Sequence, residues 1–143
     1  MNVAIDCSAL AAPIRAIKPH PKILALSADL AIGHPLTRAV QGTWVGRVSA
    51  LWVTEEVMLR RLKETLDPQT NARLEAYAAR DRAMLEQDIA RHRPDVILVN
   101  RKQPSFDWLV WANSYPALAA QLKPYHPVRT IKGVLILRRE KGR

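Results

Sequence analysis

Glycine and cysteine are the scarce residues of this chain, five and one among 143. No Gly-x-Gly-x-x-Gly run links a strand to a helix and no phosphate loop of the nucleoside-triphosphate kind is present, so a bound dinucleotide is disfavoured. Cys7 has no second cysteine to pair with, which excludes an internal disulfide and a cysteine-rich zinc site. Nothing near it in sequence supplies the base or the lowered pKa that a thiolate nucleophile needs. The four histidines, His20, His34, His92 and His126, form no pair at metal-ligand spacing on one helical face. No cofactor and no metal are therefore expected. Long apolar runs are missing too, and none approaches the length that spans a bilayer. Near the start, Asp6 interrupts a short apolar stretch that no Lys or Arg precedes, which is not the pattern of a secretory signal.

What the chain does have is the composition of a globular protein. Hydrophobic residues make up 48% and charged residues 24%. A chain of this length buries roughly two-thirds of its unfolded surface, enough for one core without covalent staples. We expect residues 1–18 to form a connector or helical lead-in and residues 19–143 a single α/β domain. The net charge of +9 asks for an anionic partner, whether nucleic acid, acidic polysaccharide or lipid head groups, unless it serves solubility alone. The charge is scattered along the sequence. Arg60, Arg61 and Lys63 close a helix, Arg101 and Lys102 follow a strand, and Arg138, Arg139, Lys141 and Arg143 crowd the end. No basic block carries the interleaved aromatics of a single-strand binder, so nucleic acid is disfavoured as a partner.

The ten prolines punctuate the pattern. Pro19 and Pro21 precede the apolar run 22–27, which reads as a buried strand. Upstream, Leu10, Ile14 and Ile17 have helical spacing with Pro13 among them. Gly33-His34-Pro35 leads into a short helical turn, and residues 43–48 form a second strand candidate weakened by Gly46. Thr54, followed by Glu55 and Glu56 and later by Arg60, Arg61 and Lys63, predicts a capped helix whose charges complement its dipole. Asp67 and Pro68 open the clearest helix, with Leu74, Tyr77, Ala78, Leu85 and Ile89 on one face and Pro94 closing it. The run 95–100 is the second buried strand. Ser105 is placed to cap a short helix carrying Trp108 and Trp111, and Pro116 opens another over residues 117–122. Runs 128–131 and 134–137 flank Lys132-Gly133, a tight hairpin turn. A long amphipathic helix feeding an apolar strand makes a βαβ-type layer. The predicted fold is α/β, a three-layer-like sandwich with a mostly parallel sheet and a C-terminal β-hairpin.

In open α/β sheets, ligands bind outside the carboxyl ends of the parallel strands. With the two apolar strands as neighbours, the first end brings Ser27, Asp29 and, across the loop, His34 and Arg38. The second brings Asn100, Arg101 and Lys102. The candidate ligand-binding set is accordingly Asp29, His34, Arg38, Asn100, Arg101 and Lys102, with no catalytic residue named. It combines anion-accepting groups (Arg38, Arg101, Lys102) with an acid/base pair (Asp29, His34). The structural alternative stays open, with Asp29 capping the next helical turn and His34 bonding locally within its own turn. Trp108 and Trp111 read as core cover. The other use of the tryptophans, Trp44 and Trp52 included, is contact with a membrane interface or a sugar ring.

Several segments follow one another in order: Ile23-Leu-Ala-Leu-Ser-Ala-Asp-Leu30, Gly33-His-Pro-Leu36, Gly42-Thr-Trp-Val-Gly-Arg47 and Leu51-Trp52. Then come Arg93-Pro-Asp-Val-Ile-Leu-Val99, Phe106-Asp-Trp108, and Tyr125 leading into a hairpin that ends Leu137-Arg-Arg139. Together they resemble, over residues 20–140, the soluble C-terminal domain that follows the membrane helices of bacterial GT-C-type glycosyltransferases and related polytopic proteins. The resemblance implies a non-catalytic accessory or binding domain on the extracytoplasmic (periplasmic) face of the inner membrane, residues 1–18 being the connector from the last membrane helix. It implies as partners the transmembrane glycosyltransferase region, anionic membrane lipid or a lipid-linked sugar, to which a basic surface is suited. In that family the catalytic acid lies in an extracytoplasmic loop between membrane helices. No such segment stands in this sequence, so no catalytic residue carries over, and glycosyltransferase activity is expected only as part of a larger membrane protein. Two other readings remain: a freestanding cytoplasmic α/β enzyme or ligand-binding module using the strand-end crevice, and a basic nucleic-acid-binding protein.

Overall fold

The computed structural model describes residues 8–29, 32–47, 51–102 and 107–140. Along the chain run α1 (Ser8–Ile17), β1 (Lys22–Leu26), α2 (His34–Ala39), β2 (Thr43–Trp44), α3 (Trp52–Lys63), α4 (Pro68–His92), β3 (Val96–Asn100), α5 (Trp108–Asn113), α6 (Pro116–Leu122), β4 (Tyr125–Ile131) and β5 (Val134–Arg139). The apolar runs of β1, β3 and β5 divide by alternation. Leu24, Leu26, Ile97, Val99, Leu135 and Leu137 belong to one buried cluster, and Ile23, Ala25, Val96, Leu98, Val134 and Ile136 to another. Strands apolar on both faces must be covered on both. Leu85 and Ile89 of α4, Trp108, Trp111 and Ala112 of α5, and Leu118 and Leu122 of α6 join the first cluster. Leu10, Ala11 and Ile14 of α1 and Leu36 of α2 join the second.

The strand order is β2-β1-β3-β5-β4. β1 pairs in parallel with β2 and with β3, Ile23 opposite Val96 and Leu26 opposite Val99. β5 is antiparallel to both β3 and β4. The sheet is thus mixed, with two parallel and two antiparallel ladders, where the sequence predicted a mostly parallel one. The reason lies in the hairpin: β5 docks directly on β3 and so contributes half of the ladders. At its turn Lys132 and Gly133 have φ of 49° and 78°, the double positive φ that matches the twist of paired strands.

Several boundaries differ from the sequence pattern, each for a tertiary reason. α3 starts at Trp52, so Thr54 is not its cap but a buried residue inside the first turn. Leu51 is itself buried and donates its N–H to the Ser27 carbonyl at 2.8 Å, which forces the helix to begin directly behind β1. The strand predicted from Thr43 shortens to two residues. Beyond it, the backbone N–H and guanidinium of Arg47 are taken by the buried Asp88 of α4, at 2.9 and 2.8 Å. Ser105 lies outside the described residues, and the cap of α5 is Asp107, which accepts from the N–H groups of Leu109 and Val110. On α4, Asp67 caps as the sequence predicts, accepting from Thr70 N–H at 2.8 Å. Ala78, Leu85 and Ile89 are buried, whereas Leu74 is half-buried and Tyr77 exposed. None of the first ten residues of α4 is fully buried; they run beside α3 instead, tied by Arg61 to Glu75 at 2.8 Å. Among the described residues no helix is long and apolar enough to cross a membrane.

Candidate functional site

Parallel pairing of β1 with β3 brings their carboxyl ends together. Asn100 Nδ2 donates to Ser27 Oγ at 3.3 Å, and the same oxygen accepts the Asp29 N–H at 2.9 Å. Asn100 Oδ1 in turn accepts the Lys102 N–H at 2.9 Å. The Arg101 N–H goes to the Gly133 carbonyl at 2.7 Å, and its guanidinium lies 3.3 Å from the Asp107 carboxylate. Asp29, Asn100, Arg101 and Lys102 therefore share one end of the sheet. Arg38 sits in the last turn of α2, exposed, and from there Gln41 and Gly42 run back to Pro21 and the starting end of β1, opposite Ser27. His34 opens α2, and its side chain lies outside the described part of the structure.

The same end gains a group that the sequence pattern did not place there. Burial first, then the charges of Glu56 and Asp29, raise the Glu55 carboxyl above its ordinary range. Beside it the Trp52 indole donates to the Ala28 carbonyl at 2.8 Å, the residue being 56% exposed. Trp108 and Trp111 are buried, as core cover should be. Asp29, Glu55 and Asp107 offset Arg101 and Lys102, so this end of the sheet is of mixed sign rather than cationic.

The opposite end, where β1 and β3 begin and β5 finishes, is charged differently. Asp95 stands just before β3 with its carboxylate nearly buried. Oδ2 accepts the Lys22 N–H at 2.8 Å, and Oδ1 lies 3.3 Å from Lys18 Nζ and 4.0 Å from the Arg139 guanidinium. Backbone bonds from Asp95 to Lys22 and from Arg139 to Asp95 close the same knot. Around it lies a hollow of about 340 Å³ lined by Lys18, Lys22, Arg91, His92, Arg93, Asp95 and Arg139. A second hollow of about 400 Å³ shares Lys18, Asp95 and Arg139 and adds Arg138 and Glu140. In the first, five cations face a single carboxylate.

Only part of that charge has a local explanation. Arg91 and His92 end α4, where cations complement the negative pole of the helix. Lys18, Lys22 and Arg139 arrive from other elements. Arg93 follows α4 with φ 45° and ψ 67°, the left-handed conformation that glycine adopts freely and that costs a residue with a Cβ about 1 kcal/mol. Its neighbour Pro94 is held in place by Tyr125, whose hydroxyl donates to the Pro94 carbonyl at 2.6 Å. Burial pushes this phenol up to about 12, with Arg139 pulling it down and Asp95 pushing it further up, so the hydroxyl keeps its proton at any physiological pH.

Sequence reasoning passed over this cluster because its members are isolated in the chain. Lys18-Pro19, Pro21-Lys22 and Arg93-Pro94 share one local pattern, a cation beside a proline at the entry to an apolar strand. That repeated pattern was the available signal. Comparison of the chain with protein-family models, with curated proteins and with solved structures finds no match in any of the three.

Proposed function

We propose that this chain is a non-catalytic accessory or binding domain that meets an anionic surface or ligand with the amino-terminal end of its sheet. One observation carries the reading: five cations line one hollow at that end with a single carboxylate, and only Lys18 and Arg139 reach it. Like charges gathered this way repel one another and destabilise the fold, and an anion relieves the repulsion. Anionic lipid head groups and the phosphate of a lipid-linked sugar both fit. They are also the partners implied by the resemblance to the soluble part of membrane glycosyltransferases, which would set the domain at the periplasmic face. Co-sedimentation tests this. The chain is expected to pellet with phosphatidylglycerol-containing vesicles at low ionic strength and to be released as salt rises, each basic residue at the surface contributing about 1 kcal/mol. Equal retention on neutral phosphatidylcholine vesicles would contradict it, and retention on neither would exclude the lipid surface and leave only a soluble anion.

A second reading attaches to the other end, that of a small α/β enzyme or ligand-binding module using the strand-end crevice. The raised Glu55 carboxyl near Asp29 favours it, because a carboxyl held above its ordinary range is suited to proton transfer. The first reading expects no turnover of polyprenyl-phosphate sugars or sugar nucleotides by the purified chain. Turnover that is lost in Glu55→Gln would establish the second reading in its place.

A further inference from the structure

We infer that the hollow around Arg93 is a discrete site for a phosphate monoester. The inference rests on the reading of this end as anion-facing, and narrows it from a charged surface to a built site. All seven side chains lining the hollow are charged or polar, so the occupant is polar throughout, and about 340 Å³ is within the range of small-ligand sites. Asp95 does not neutralise the hollow. It organises the surrounding cations, bonding the Lys22 backbone and holding Lys18 and Arg139 within 4.0 Å of its carboxylate. Among the described residues, Lys22, Arg91 and Arg93 form no ion pair of their own. A dianion entering the hollow thus meets three exposed cations that are not already paired.

Arg93 is the most telling member. At the position following a helix, glycine would adopt the left-handed conformation without strain, yet the chain carries arginine there. His20, Gln41 and Lys132 share a positive φ, but of the four only Arg93 lines this hollow, and strain of this kind clusters at functional sites. The guanidinium offers a planar fork of donors that matches two phosphate oxygens at once, which lysine cannot do. The Tyr125 hydroxyl holds the adjoining Pro94 carbonyl, so the fork is presented from a backbone that is held rather than loose.

Thermal unfolding of the full chain, followed while inorganic phosphate is titrated at constant ionic strength, tests the site. Phosphate is expected to raise the unfolding temperature saturably, because a ligand that binds only the folded state stabilises it, whereas chloride at equal ionic strength does not. Arg93→Gly is expected to weaken phosphate binding about tenfold or more, the loss of one charge-assisted contact. It should do so without lowering the unfolding temperature of the free protein, since glycine suits that backbone. Lys22→Gln should weaken phosphate binding as well. Arg129→Gln removes the same charge from β4, outside the hollow, and is expected to leave phosphate binding unchanged. Phosphatidic acid vesicles then separate the sources. If phosphate competes the chain off them, the group is a lipid head group; phosphate binding without retention on the vesicles makes the ligand a soluble monoester. No response to phosphate, or equal damage from Arg129→Gln and Arg93→Gly, overturns the site. If phosphatidylglycerol vesicles still retain the chain in that case, the anion-facing reading survives alone; if they do not, both fall.

Discussion

On α4 two carboxylates respond to pH with opposite sign. Burial raises the Asp81 carboxyl above its ordinary value of 3.8. A group raised in the folded state favours folding in its protonated form; that contribution is fully present below 3.8 and is lost as pH rises through the raised value. Asp81→Asn is therefore expected to raise the unfolding temperature at pH 7 and to change it little near pH 3. Asp67 is the reverse case. The Thr70 hydroxyl and backbone N–H hold its carboxyl below 3.8, so its contribution is present above that value and is lost as pH falls through the lowered one. Asp67→Ala is expected to lower the unfolding temperature at pH 7 and not at pH 2. Circular-dichroism melts of both variants read the two signs directly, and parallel pH profiles would contradict the account.

The same helix carries the clearest test of packing. Leu85, 3% exposed, sits in the cluster that α4 shares with β1, β3, α5 and α6. Leu85→Ala is expected to cost about 2–5 kcal/mol in urea unfolding, through lost transfer energy and the cavity left behind. Leu74→Ala, on the half-buried stretch beside α3, should cost less than half as much. This contrast shows where sequence patterning works. The faces of β1 and β3, the Asp67 cap and the Lys132-Gly133 turn were legible because each depends on residues within a few positions of one another. The start of α3 was not, because it is set by a hydrogen bond from Leu51 to Ser27 across the fold. The length of β2 was not either, because Asp88 of α4 captures Arg47. At the crevice, the meeting of Ser27 and Asn100 followed from the strand pattern. The departure of Arg38 did not, since it depends on how α2 returns the chain to β1. On β4 the pattern promised only a strand; its exposed edge is broken by Pro127 and a register shift before Arg129, features that discourage pairing with another sheet.

The molecule as a whole has two unlike ends. Mixed charge surrounds Asp29, Glu55, Asn100 and Lys102 where the parallel strands finish, and the positive cluster surrounds Asp95 where they begin. A net charge of +9 looked scattered along the chain because strand order, not sequence proximity, assembles that cluster. Ligands of α/β sheets are usually sought at the carboxyl ends, whereas here the cluster of cations lies where the parallel strands begin. The most direct test is an amide NMR map of the full chain titrated with phosphatidylglycerol-containing bicelles at low ionic strength. The account expects the resonances of Lys18, Lys22, Arg91, His92, Arg93, Asp95 and Arg139 to shift or broaden first, with Asp29, Asn100 and Lys102 unmoved. Perturbation confined to Ser27, Asp29 and Asn100, with the amino-terminal end silent, would contradict it.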